Sequence, residues 1–166
     1  MSKRHFLKEK EAKNLLKEAS EKMKIDLEKV IGSDVRVEYV ETSFGEVFLI
    51  NGKPAIFKIG ERLYPTLFFE EAFALMSKVV VDMGAVRHIC NGANVMAPGI
   101  VRFEGAFKRG DLVLVVDEKY GKPLAVGEIA YDSDEITHVR QGVVVNTVHF
   151  VSDKIWNYLR EFSRTF

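Results

Sequence analysis

Apolar residues recur with a helical period early in the chain and with a period of two afterwards. Ala12, Leu15, Leu16, Ala19 and Met23 follow the i, i+3, i+4, i+7 spacing that gathers one face of a helix, with mostly Lys and Glu between them. This pattern predicts helix over residues 5–31, in which Asp26 caps a second short segment, Leu27 to Ile31, ended by Gly32. From Val35 the alternation changes: Val35, Val37 and Tyr39 are spaced by Arg36 and Glu38. Two β-rich runs, Val47–Ile50 and Ala55–Ile59, flank Asn51-Gly52, a hairpin signal because both turn positions need positive φ. Pro54 has no amide hydrogen, which predicts an edge strand or a strand start. Leu67–Met76 is predicted helical and Lys78–Val81 a short strand. Beyond Asp82 come four more short strands, Gly99–Phe103, Leu112–Asp117, Leu124–Tyr131 and Gly142–Phe150, separated by Gly, Asp, Lys and Pro turns. Such a series makes a small barrel or sandwich. Ile155, Trp156, Leu159 and Phe162 share one face of a closing helix that begins near Asp153.

The fold class is therefore α+β, with a helical–hairpin unit at residues 1–77 and a barrel of short strands with a closing helix at 78–166. The segment Glu61–Thr66 is the best candidate for a boundary in the residue pattern. Composition agrees: 166 residues, 47% apolar with 12 Phe, 5 Tyr and 1 Trp, exclude wholesale disorder. A lone cysteine, Cys90, excludes an internal disulfide and a Cys-rich zinc module. The N-terminus lacks the apolar run of a signal peptide, and no stretch approaches the length of a membrane span. The expectation is a soluble cytoplasmic protein with no membrane contact. A single glutamine, Gln141, and a surface rich in Lys and Glu suggest a thermophilic, archaeal source.

The densest local signal is the segment Val81–Ile100. Asp82 is placed to cap a two-turn helix over Gly84–Asn91, and Gly92 to end it. The loop Gly92–Gly99 then carries two glycines and Pro98 among mostly small residues. Such a loop either makes tight barrel turns or lets another backbone approach closely, and the residues alone favour the turns. Catalysis finds little support. His5, His88, His138 and His149 are scattered without metal-ligand spacing. His88 and Cys90 are two apart on a helix and face different ways, so they cannot serve jointly as base and nucleophile. Cys90 reads as core filler, and Asp132, Asp134 and Glu135 as helix-start chemistry before Ile136. Neither a GxxxxGK(S/T) loop nor a GxGxxG run is present, so no enzyme activity, metal or cofactor is expected.

This segment resembles the first helix and glycine loop of the PUA domain, the RNA-binding fold of pseudouridine synthases and archaeosine transglycosylases. Phe107–Val113, Ala125–Glu128 and Gly142–Val145 leading to His149 continue the likeness in order over about residues 79–151. Tyr64-Pro65-Thr66-Leu67, behind a helical–hairpin unit of this size, is similar to the malignant T-cell-amplified-sequence family, whose layout the front half of ligatin shares. The resemblance implies a pre-PUA domain that docks on the small ribosomal subunit and a PUA pseudo-barrel that holds a tRNA acceptor end. The chain stops soon after the PUA-like region, so ligatin's C-terminal modules are expected to be absent. The eukaryotic short protein works with density-regulated protein, a zinc-binding partner, which leaves room for a protein partner here.

Charge sharpens the expectation. The whole chain balances 24 Lys+Arg against 24 Asp+Glu, yet residues 87–109 net +3 and residues 110–135 net −5. Combined with the resemblance, Arg87, Lys108 and Arg109 are expected to meet phosphate, and Arg102 depends on its strand parity. Gly92, Ala93, Asn94, Met96 and Gly99 are expected to line a site for unpaired 3′ nucleotides, with Pro98 fixing the loop. The partners so implied are structured RNA (a tRNA acceptor end or rRNA) and the small ribosomal subunit, in translation initiation or recycling. Two other readings remain: a protein–protein adaptor, which exposed Phe68, Phe69 or Phe73 would favour, and a detached RNA-targeting subunit for a tRNA-modifying enzyme such as archaeosine transglycosylase.

Overall fold

A computed structural model describes residues 3–163. The outermost positions of the two expected domains, 1–2 and 164–166, lie outside the described residues. The chain forms two compact units, Met1–Leu75 with Asn157–Phe166, and Met76–Trp156. The closing helix is thus divided between them, where the sequence pattern assigns it whole to the second.

The first unit is an antiparallel five-stranded sheet with three helices and the end of the closing helix. It runs β1 (Arg4–Phe6), α1 (Glu9–Met23), α2 (Leu27–Ile31), β2 (Val37–Glu41), β3 (Glu46–Ile50), β4 (Lys53–Ile59), β5 (Arg62–Pro65) and α3 (Glu70–Phe73), with strand order following chain order. The helix expected from residue 5 starts only at Glu9, because Arg4, His5 and Phe6 pair with Val40, Tyr39 and Glu38 at the sheet edge. The apolar helical period begins at Ala12, so nothing in it opposes an extended Arg4–Phe6. Glu11 Oε1 accepts from the Lys8 N–H at 3.1 Å, half of a capping box. Asp26 and Gly32 bound α2 as expected.

Asn51 (φ 50°) and Gly52 (φ 85°) make the expected hairpin turn. β4 lies between β3 and β5, so Pro54 is not on an edge but second in its strand. The register shifts beside it: Phe48 faces Ile56 while Leu49 faces Pro54, and the ladder does not need the missing amide. The helix expected over Leu67–Met76 shrinks to Glu70–Phe73. Buried Thr66 holds the preceding backbone in a turn, donating to Pro54 O (3.0 Å) and accepting from Phe68 N (3.1 Å). Phe69 is buried and Phe68 and Phe73 are half-buried, so none of the three offers the exposed ring that the adaptor reading needs.

The second unit contains β6 (Lys78–Val81), α4 (Met83–Ile89), β7 (Val95–Met96), β8 (Ile100–Glu104), β9 (Leu112–Asp117), β10 (Pro123–Ile129), β11 (Val143–Phe150) and the start of α5 (Lys154–Ser163). Its sheet order is β7-β11-β10-β9-β6-β8, antiparallel except for the parallel β6–β9 pair. β7 and β8 stand at opposite edges yet are joined by one 3₁₀ turn, Ala97–Gly99. Laid flat, six strands would separate these edges by about 24 Å, while the linker spans at most about 14 Å. The sheet must therefore curl into a half-barrel around Val79, Val81, Val113, Val115, Ala125 and Val145. This is the expected α+β fold with a pseudo-barrel. Asp153 opens α5 by accepting from Trp156 N through Oδ1, while its Oδ2 takes Phe150 N (2.9 Å) and buried His149 Nδ1 (2.8 Å). Among the described residues no helix is long and apolar enough to cross a membrane.

Candidate nucleic-acid interface

The short helix α4 and the loop after it form one wall of a groove. Asp82 caps α4 through Oδ1, which accepts from Ala85 N at 2.9 Å, and the Asp82 N–H donates to Gly99 O at 2.9 Å. The two ends of the segment are thus tied across its mouth. Buried Ile89 anchors the helix to the barrel, worth roughly 1.5–3 kcal/mol for such a side chain. Gly92 (φ 93°) turns the chain back, and a Cβ there would stand 3.1 Å from the Phe150 ring.

The return segment is pinned to β11. Thr147 Oγ1 donates to Ala93 O (2.9 Å), Thr147 N donates to Asn94 Oδ1 (3.0 Å), and Val95 and Met96 pair with Val145 and Val143. The Asn94 amide is thereby oriented by the bond its Oδ1 accepts. A Cβ on Gly99 would lie 3.3 Å from the Ala85 Cβ, so the loop and helix approach as only small residues allow. The open groove measures about 500 Å³, and Gly84, Ala85, His88, Asn94, Val95 and Pro98 are among its lining residues. Its floor is apolar and its polar groups are few, the make-up of a site for a flat, partly polar ligand.

A model of the PUA domain matches residues 77–151, the stretch that builds this groove, and a domain of unknown function (DUF1947) matches residues 3–69. An uncharacterized protein of Methanocaldococcus jannaschii is 36% identical over 157 residues, 94% of this chain and 96% of that one. Translation machinery-associated protein 20 of Saccharomyces cerevisiae is 29% identical over 124 residues, and Malignant T-cell-amplified sequence 1 of Danio rerio 29% over 118. The chain belongs to the PUA-domain family of the malignant T-cell-amplified-sequence proteins. Each of the last two alignments takes in 68% of this chain and covers 66% and 65% of the respective relative's length. A solved PUA domain from Aeropyrum pernix superposes with a TM-score of 0.83 at 28% identity, covering 98% of this chain and 93% of that one.

Within the PUA domain the expected site residues divide into two groups. Ala93, Asn94, Met96, Pro98 and Gly99 line the groove together, and Gly92 sets the turn that brings them there. Arg87 is exposed on α4 one residue from the groove-lining His88, although it does not line the groove itself. Arg102 points to solvent and pairs with Glu104 at 3.3 Å. Lys108 and Arg109 are exposed on a separate turn, whose N–H groups bond Asp111 Oδ2 (2.8 Å) and Asp132 Oδ1 (2.7 Å). Asp132 therefore braces this turn with its side chain rather than starting a helix, and only a 3₁₀ turn, Ile136–His138, follows.

Asp111, Asp117 and Asp132 all accept backbone N–H groups, so much of the acidic block at 110–135 is turn chemistry. The residues that sequence reasoning missed are Gly84, Ala85, His88 and Thr147. The first three, with Ile89, follow the i, i+1, i+4 spacing of one helix face, a signal that was present. Thr147 gave no local signal, because its role depends on a strand pairing more than fifty residues away. Burial pushes the Cys90 thiol above its ordinary value, although Lys122 pulls it down, which suits packing rather than nucleophilic chemistry. Among the described residues no three His, Cys, Asp or Glu side chains group as a metal site would require.

Proposed function

We propose that the PUA domain holds the unpaired 3′ end of a structured RNA, the acceptor end of a tRNA, in the groove between α4 and the 92–99 loop. The N-terminal unit docks on the small ribosomal subunit, and the protein acts in the cytoplasm, without catalysis, in translation initiation or recycling. The observation that carries this reading is the groove itself, an apolar cleft with a few oriented polar groups inside the PUA match. Its apolar lining suits the faces of unstacked bases. The Asn94 amide and His88 ring suit their edges, and exposed Arg87 is available to a phosphate at the rim. The name of the yeast relative supports the translation setting.

Gly84 offers a clean test. A Cβ there would meet only Asp82 Oδ1, at 3.3 Å, so Gly84→Leu should fill the groove without disturbing the barrel core. Fluorescence polarisation with a labelled tRNA should show about tenfold weaker binding, the order expected when one base can no longer stack on the protein. Unchanged affinity in a folded variant would contradict the assignment of the groove.

A further inference from the structure

The hairpin that joins β9 to β10 is built around a buried carboxylate. Asp117, only 3% exposed, accepts from the backbone N–H groups of Lys119 (2.9 Å), Tyr120 and Lys122 (3.1 Å), and its own carbonyl accepts from Gly121 N at 3.1 Å. Gly121 adopts a φ of 65°, which closes the tip. Four consecutive residues are thereby held by one aspartate. The side chain they present outward is Tyr120, 72% exposed, with Lys119 Nζ 5.2 Å from the ring centroid.

This tip rises from the end of β9, the strand paired with β6, which leads into the groove-lining segment. Its foot is fixed by Glu118 N, which donates to Val81 O at 2.9 Å, one residue before groove-lining Asp82. An aromatic ring on a braced tip contributes little to the core but loses little entropy on binding. Lysines on both sides of it supply the complementary charge that a phosphate chain requires, with Glu118 the acid at the foot of the tip.

We propose that the β9–β10 tip is a stacking platform for single-stranded RNA, on which Tyr120 takes an unpaired base while Lys119 and Lys122 meet the flanking phosphates. It rests on the reading that this domain binds RNA. The chemistry is sequence-tolerant, because every base presents a π-face.

The test uses the full chain and an RNA hairpin with a single-stranded 3′ tail of about eight nucleotides, within the usual range for such sites. Tyr120→Ala should weaken binding at least about fivefold, whereas Tyr120→Phe should stay within about twofold of wild type, since the ring and not the hydroxyl is used. Lys119→Ala/Lys122→Ala should flatten the salt dependence by roughly 0.7 for each phosphate no longer neutralised. Equal affinity of Tyr120→Ala and wild type overturns the platform while leaving the groove standing. Equal loss in Tyr120→Phe and Tyr120→Ala overturns stacking in favour of a hydroxyl contact, and an unchanged salt slope removes the lysines. A wild-type chain that binds no RNA overturns both this proposal and the function it rests on.

Discussion

Asp117 shows how one side chain can set a local shape. Its carboxyl is held below the ordinary aspartate value, chiefly by the Tyr120 N–H, against the opposing effect of burial, with the N–H groups of Lys122, Lys119 and Gly121 adding to the stabilisation. A depressed folded-state value means that the carboxylate contributes stability above the unfolded value, and that this contribution is lost as pH falls through the folded one. Asp117→Asn should therefore be less stable than wild type near pH 7. The two should converge as urea unfolding is followed to acid pH below the ordinary aspartate range. Parallel curves at every pH would mean that the charge does not hold the tip. Asp153 is depressed too: burial raises it, but His149 and the Trp156 and Phe150 N–H groups outweigh that effect. The variant comparison is needed to separate the two aspartates.

At the scale of elements, α4 and its return loop depend on attachments at both ends. Thr147 bonds the loop twice, and its hydroxyl is the group that can be removed with little change of shape. Thr147→Val should cost about 1 kcal/mol in urea unfolding, the usual worth of such a bond, and loosen the segment that lines the groove. A loss of RNA affinity should accompany it; full affinity in the variant would mean that the loop needs no such tether. The same region shows what could be read in advance. The α4 helix, its Asp82 cap, its Gly92 stop and strands β9 to β11 follow from local pattern and turn chemistry.

Three features did not follow. Arg4–Phe6 is a strand only because β2 is there to pair with it, and the central place of Pro54 depends on β5 pairing with the far side of β4. The third is the separation of Lys108 and Arg109 from the groove, since proximity in sequence to the glycine loop carries no information about strand order. Local signals fixed the elements and the groove's own loop; pairing decided which basic residues stand near it.

For the whole molecule, the zero net charge means that long-range attraction to RNA is modest and that local arrangement decides binding. The basic residues proposed to meet phosphate are Arg87 on α4 and Lys119 and Lys122 on the β9–β10 tip, few enough for a shallow salt dependence, so a large part of the affinity must come from base contacts. The most direct test of a groove for the RNA terminus compares two RNAs of one tRNA-like acceptor stem, one with its unpaired 3′ end and one cut blunt, by fluorescence polarisation across a salt series. The single-stranded 3′ end should bind at least about tenfold more tightly, as expected for two or more stacked bases, with a log–log salt slope of about −2 to −3. Equal affinities for the two RNAs, or a steep slope shared by both, would contradict a groove that holds the RNA terminus.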